Sequence, residues 1–431
     1  MIENKYLTQT YTISNHPIKA YEELIQCKYI KALGEFLCFI TQTDKKAKFI
    51  FEIWSNSIIK VESSDNWCYT PNFIYLKEGL YFDKNDSNYN LLRLIFLFDC
   101  FYLVEKINCH LIEKSHIFLS RKADRYFTED LIDYVHDYFI GSNNGDKIPA
   151  ELREHRNSDI KFLQQPLKKV LVVATMSAGK STLINALIGN KINKVASTVC
   201  TNKIRLVYNK QSDEGAILEC AGPRYIYTVN HKIAQHDSVK NVCVHFHSIL
   251  ENENLCLIDT PGVNFNGDHS HGEITRNAVK ANDYDLLLFV SNATQFLTDD
   301  DANILEFVIR NCKKKIIFCL NQCDRFKPKD DSIIEMVDVW KHTLSALGNK
   351  SPNIVAISAF CALLLKESEN KIALTEDEEL YLELMKVKFE REYYHLEKYC
   401  TNSMIEVNAS TELKHTGILN LETLIYEDRK N

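Results

Sequence analysis

From Ala174 to Ser181 the chain reads ATMSAGKS, directly after the apolar run Lys169–Val173. A strand, a turn of small residues and a Lys-Ser pair opening a helix are suited to holding a phosphate chain. Successive backbone N–H groups and the helix N-terminus cradle the phosphate oxygens, with Ala178, Gly179 and Thr182 completing the wrap. Lys180 neutralises the phosphate charge, and the Ser181 hydroxyl is a ligand for Mg2+. Ala174 stands where the GxxxxGK[ST] pattern has its first glycine. That change costs little wherever the backbone needs no positive φ.

A phosphate cradle does not choose a base, but three later segments do so in combination. Asp259-Thr-Pro-Gly262 follows the run Leu255–Ile258 and fits the DxxG arrangement, in which the aspartate holds Mg2+ through water and the glycine N–H senses a terminal phosphate. Asn321-Gln-Cys-Asp324 follows Lys315–Leu320 at the place of NKxD. The Asp324 carboxylate can accept hydrogen bonds from the N1–H and 2-amino groups of guanine, and adenine offers neither in that arrangement. Ser358-Ala359 follows Ile354–Ile357, where a base-contacting loop is expected. Each tetrapeptide alone is a weak signal. Four in order, each at the carboxyl end of an apolar run, form a strong one. For the threonine that closes on Mg2+, spacing from the P-loop favours Thr201 over Thr198.

ATMSAGKSTLINALIG, Cys200-Thr201, DTPG and SNATQFLTDDD (Ser291–Asp301) together resemble the bacterial dynamin-like GTPases, closely over Lys168–Phe360. The tail HTGILNLETLI is consistent with the closing helix of such a G domain. The resemblance implies a GTPase that hydrolyses GTP to GDP and phosphate with Mg2+. It makes Ser177, Lys180 and Thr201 the catalytic set, with Ser177 stabilising charge between the β- and γ-phosphates. It makes Ser181, Thr201 and Asp259 the metal set. Catalysis would be completed by a nucleotide-dependent homodimer of G domains, with water positioned partly by the switch threonine's backbone. Three positions depart from the pattern. Gln322 replaces the lysine whose stem packs on the base, Met176 replaces a residue that is often polar, and Val263 stands where small GTPases carry a water-positioning glutamine.

The elements that would hold these residues alternate. Apolar runs at Val170–Val173, Leu255–Ile258, Leu286–Val290, Lys315–Leu320 and Ile354–Ile357 predict strands. Helical patterns at Ser181–Ile188, Glu273–Ala281, Asp299–Arg310 and Ser332–Leu347 lie among them. This is the rhythm of an α/β fold, a mainly parallel sheet flanked by helices. The front of the chain differs: residues 1–165 carry 27 of the 46 aromatics. Runs at Glu35–Thr41, Lys48–Trp54, Ser57–Glu62, Phe73–Lys77 and Ile117–Ser120 predict strands, the first two as a hairpin. Ser87–Cys109 and Thr128–Ile140 predict helices, the second capped by Thr128, and Gly141–Lys147 reads as a boundary. The expected organisation is a smaller α+β domain over 1–150, a connecting segment over 151–167, and a G domain with C-terminal helices over 168–431.

Composition narrows the partners. With 51 basic against 58 acidic residues, no basic stripe accompanies the aromatics, so no nucleic acid is expected. Leu91–Val104 is too short to span a bilayer and carries Arg93 and Asp99, so it predicts a buried helix. About 70 residues follow the Ser358-Ala359 loop, too few for a dynamin stalk. Thr375–Cys400 reads as a helix packed on the G domain, and membrane contact is not expected without a partner. Fourteen scattered cysteines with no CxxC pair, and no signal peptide, predict reduced thiols and a cytoplasmic protein. His245 and His247 share a strand face at metal spacing but lack an evident third ligand. One alternative stays open: a GTP-gated switch with negligible hydrolysis, whose N-terminal domain binds a protein partner.

Overall fold

The structure, a computed structural model, describes residues 16–59, 88–122, 128–174, 177–194, 203–211, 215–221, 224–236, 238–262, 269–295 and 298–428. The chain divides into two compact units, Met1–Gln164 and Gln165–Asn431. The described part of the first unit contains six α-helices: α1 Glu23–Thr41, α2 Lys45–Ile59, α3 Asn88–Ile107, α4 Leu111–Lys122, α5 Glu129–Phe139 and α6 Ala150–Gln164.

The strands expected at Glu35–Thr41, Lys48–Trp54 and Ile117–Ser120 are therefore helical, lying in α1, α2 and α4. Seven-residue windows rich in Phe and Ile hide the period that a longer window reveals. Buried Ile30, Leu33, Leu37 and Ile40 recur along α1, and Ala47, Ile50, Phe51, Trp54 and Ile58 along α2. Both sets follow the spacing of a helix face. The expected hairpin loop is a helix–helix turn in which Gln42 and Thr43 take positive φ. Phe73–Lys77 and the end of Ser57–Glu62 lie outside the described residues. Helices appear where expected around Ser87–Cys109 and Thr128–Ile140, although the Thr128 side chain makes no capping hydrogen bond. α3 is buried nearly all round and brings Asp99 into the core, where its Oδ2 meets His16 Nε2 (2.9 Å) and accepts from the Tyr29 hydroxyl.

The described part of the second unit is built on nine strands. They are β1 Lys168–Ala174, β2 Arg205–Asn209, β3 Ala216–Cys220, β4 Arg224–Thr228, β5 Val239–Val244, β6 Leu255–Asp259, β7 Leu286–Asn292, β8 Lys315–Asn321 and β9 Asn353–Ile357. Their order is β4-β3-β5-β2-β6-β1-β7-β8-β9. β6, β1, β7, β8 and β9 run parallel, whereas β2 meets β6 antiparallel and β3 and β4 form an antiparallel edge. The helices are α7 Lys180–Ile188, α8 His269–Ala281, α9 Asp299–Asn311, α10 Ile333–Ala346, α11 Ala359–Glu369, α12 Glu376–Phe389, α13 Thr411–His415 and α14 Ile418–Glu427.

Side chains alternate across the sheet, so both faces can carry helices. Val170, Val172 and Ala174 of β1 share one core with Leu183 and Leu187 of α7, Leu363 of α11, Met385 of α12 and Leu421 of α14. On β7 and β8 the intervening Phe289 and Phe318 pack around Trp340 of α10, on the other face. Because five neighbouring strands run parallel, the loops leaving β1, β6, β8 and β9 emerge along one edge. No helix among the described residues is long and apolar enough to cross a membrane.

Candidate functional site

The loop leaving β1 turns on two residues of positive φ, Ser177 at 62° and Gly179 at 83°. Gly179 is the N-cap of α7, and a Cβ there would sit 2.3 Å from the Asn321 amide nitrogen. Only glycine fits that backbone and that approach. The open end of α7 leaves its first N–H groups without helical partners, which suits an anion. Lys180 and Thr182 are buried there, and Ser181 is half-buried.

Beside this cradle, β6 ends in fully buried Asp259. Lys180 Nζ bonds one of its carboxylate oxygens, and Asn193 Nδ2 donates to the other at 3.0 Å. Arg205 backs Asn193 by donating to its side-chain oxygen at 3.1 Å. Burial lowers the Arg205 guanidinium from its ordinary range, and the charge of Asp259 pulls it back up. The next residues are fixed at both sides: Thr260 Oγ1 donates to the Val172 carbonyl (2.8 Å), and Thr275 Oγ1 of α8 to the Pro261 carbonyl (3.0 Å). Gly262 follows directly. The oxygens of Ser181 and Asp259 are hard donors of the kind a divalent cation takes.

Asn321, at the end of β8, clasps three loops together. Its Nδ2 donates to the Ala178 carbonyl (3.0 Å), and its Oδ1 accepts from the Ala359 N–H (3.1 Å). Gln322, in the left-handed region at φ 68°, donates from Nε2 to the Ser177 carbonyl at 2.9 Å. The amide thus ties this loop to the loop leaving β1, a role that no motif announces. Asp324 is buried in a short 3-10 turn, Cys323–Arg325. Its Oδ2 accepts from the Tyr381 hydroxyl (2.8 Å), and its backbone carbonyl from Lys388 Nζ (2.7 Å), both on α12. Ser358, fully buried, donates its N–H to the Thr416 carbonyl at 3.0 Å.

Ala178, Gly179, Lys180, Ser181, Thr182, Asp259, Gly262, Asn321, Asp324, Ser358 and Ala359 therefore belong to four loops along one sheet edge. Ser177 lies in the same cradle, while Thr201, Thr198, Met176 and Val263 lie outside the described residues. Asn193, Tyr381 and Lys388 had no motif to announce them. Two histidine clusters stand apart. His245 and His247 meet edge to face at 5.1 Å, and His245 Nδ1 faces the Lys210 carbonyl, 2.8 Å away. His395 and His415 stack 3.6 Å apart at 4°, beside Glu397. Parallel rings hold their lone pairs in parallel planes, so those two do not converge on one ion as they stand.

A sheet with a glycine-turned phosphate loop, a Lys–Asp pair and an Asn-clasped base loop defines a P-loop nucleotide-binding domain. Residues 170–323 match the sequence profile of the Dynamin family. The probable transmembrane GTPase FZO-like, chloroplastic, of Arabidopsis thaliana is 27% identical over 211 residues, covering 49% of this chain and 21% of that protein. GTPase Era of Haemophilus influenzae (strain PittGG) is 25% identical over 172 residues, covering 39% of this chain and 44% of that protein. Among solved structures, an oligomerised bacterial dynamin pair shares 16% identity at a TM-score of 0.36, over 90% of this chain and 59% of that one. The chain spans less than half the length of both curated relatives. Within the second unit, residues 170–323 are therefore similar to the P-loop domain of the Dynamin family.

Proposed function

We propose that this protein binds GTP and hydrolyses it to GDP and phosphate. The observation that carries the reading is the Asn321 clasp, which joins the phosphate loop, the base loop and the Ser358-Ala359 loop at one sheet edge. In this reading the α7 N–H groups and Lys180 hold the β- and γ-phosphates, and Asp324 selects guanine. Gly262 reads the terminal phosphate, and Ser177 stabilises charge between β- and γ-phosphates. Ser181 and Asp259, joined by Thr201, would hold Mg2+, which supplies charge neutralisation on the phosphate oxygens. Lys180 leaves Asp259 for the phosphates, and Asn193 keeps a donor on the carboxylate while it does so. Hydrolysis completed by the pairing of two G domains is part of the proposal, supported by the family match. So is a protein partner for the first unit, supported by its being a compact helical body of its own.

Binding is the first test. Titration with a fluorescent GDP analogue in Mg2+ is expected to saturate with the wild-type chain and to be competed by GTP but not ATP. Lys180→Ala is expected to abolish the signal. Equal competition by ATP would refute guanine selection.

A further inference from the structure

Asp324, the carboxylate assigned to guanine, accepts a hydrogen bond from a helix far along the chain. The Tyr381 hydroxyl of α12 donates to Oδ2 at 2.8 Å, across 57 residues of sequence. The contact is built on both sides. α12 is seated by buried Leu382, Met385 and Phe389, and Lys388 Nζ holds the Asp324 carbonyl at 2.7 Å. One turn beyond, the Tyr394 hydroxyl donates to the Phe326 carbonyl at 3.0 Å. The Tyr381 ring packs on Phe360 at 4.9 Å and 54°, and Phe360 directly follows the Ala359 whose N–H caps Asn321. Phenol and carboxylate are thus fixed from independent parts of the fold.

We infer that Tyr381 is a positioning residue that sets guanine selectivity by fixing the rotation of the Asp324 carboxylate. The inference rests on the GTP reading above. Guanine offers two parallel donors, N1–H and the 2-amino group, and a carboxylate meets both only when its plane is held. A base with one donor tolerates rotation. Each carboxylate oxygen accepts two hydrogen bonds, so the bond from Tyr381 leaves acceptor sites for the base. The donor's neutrality matters too. A lysine or arginine there would neutralise the charge that strengthens both N–H bonds, whereas a phenol orients the carboxylate and leaves its charge intact. Burial, and then the neighbouring Asp324 charge, raise the Tyr381 hydroxyl well above its ordinary value, so it remains a donor across the working pH range.

Inosine diphosphate, which lacks only the 2-amino group, separates this role from a merely structural one. Wild type, Tyr381→Phe and Leu380→Ala are titrated with GDP and inosine diphosphate by calorimetry, with thermal unfolding as a control. Leu380 is 70% exposed on the same helix and serves as the neutral comparison. Tyr381→Phe is expected to weaken GDP by about tenfold and inosine diphosphate by no more than about twofold, with Leu380→Ala like wild type. Equal weakening of both ligands, or of neither, overturns the proposal. Should Tyr381→Phe fail to fold, Phe360→Ala removes the ring's support at a site 37% exposed. It is expected to narrow the same ratio, and an unchanged ratio overturns the inference. If wild type binds neither nucleotide, the GTP reading fails. If wild type prefers GDP and the variants keep that preference, only the role of Tyr381 fails.

Discussion

Lys180 is counter-ion to buried Asp259, and in the proposed function it is also the cation that meets the phosphates. Removing one member of a buried ion pair leaves the other charged and poorly solvated. Lys180→Ala is therefore expected to cost about 3 kcal/mol of stability as well as nucleotide binding, with Asn193 softening the loss. Adding Asp259→Asn should restore much of that stability without restoring binding, because no orphaned charge remains. Chemical denaturation of both variants measures this. A Lys180→Ala protein as stable as wild type would mean that the pair holds nothing together. Gln322 is instructive at the same scale. In the sequence it departs from a pattern, yet in the fold its amide holds the Ser177 carbonyl, a task needing a donor on a flexible stem rather than a charge.

At the scale of elements, α12 connects the base loop to the segment after α7. Lys191 is gripped by Glu367 of α11 and Glu378 of α12, at 2.7 and 2.9 Å. Glu378 also closes a capping box with Thr375. Burial works to raise the Glu378 carboxyl, but the Thr375 N–H and the Lys191 ammonium outweigh it and hold the group below its ordinary value. A carboxyl lowered by folding gives stability that is present above its unfolded value and lost as pH falls through the folded one. The stability gap between wild type and Glu378→Gln should therefore be level from neutral pH down to about pH 5 and shrink below that, from about 1 kcal/mol. A gap that widens on acidification would contradict this sign.

Elements were unevenly legible in the sequence. The strands β1, β6, β7, β8 and β9 are short apolar runs between turn signals, and the motifs after β1, β6, β8 and β9 mark the candidate site. The antiparallel pair β3 and β4 carries no motif that would announce it in the sequence. In the first unit, Phe- and Ile-rich windows in α1 and α2 satisfy strand composition, and only burial over four or five turns separates the two readings. Tyr381 could not be found in sequence at all. Its partner lies 57 residues away, and a tyrosine on an amphipathic helix is ordinary core until its hydroxyl is placed.

At the scale of the molecule, two compact units divide the chain near Gln164, and the assigned chemistry all lies in the second. Among its described residues the aromatic-rich first unit buries Phe36, Phe51, Phe96, Phe98 and Phe101 in a helical core, so those rings serve packing. Two proposals for this molecule then compete: an enzyme completed by a second G domain, and a switch completed by a different protein. Their kinetics differ. An enzyme that pairs gains specific activity with concentration, while a switch awaiting a partner stays flat. The most direct measurement is phosphate release from GTP by the purified full chain in Mg2+ over a wide range of protein concentration, beside Lys180→Ala. The expected result is turnover per molecule that rises with concentration and is absent from the variant. No phosphate release at the highest concentration, or release that survives Lys180→Ala, would contradict it.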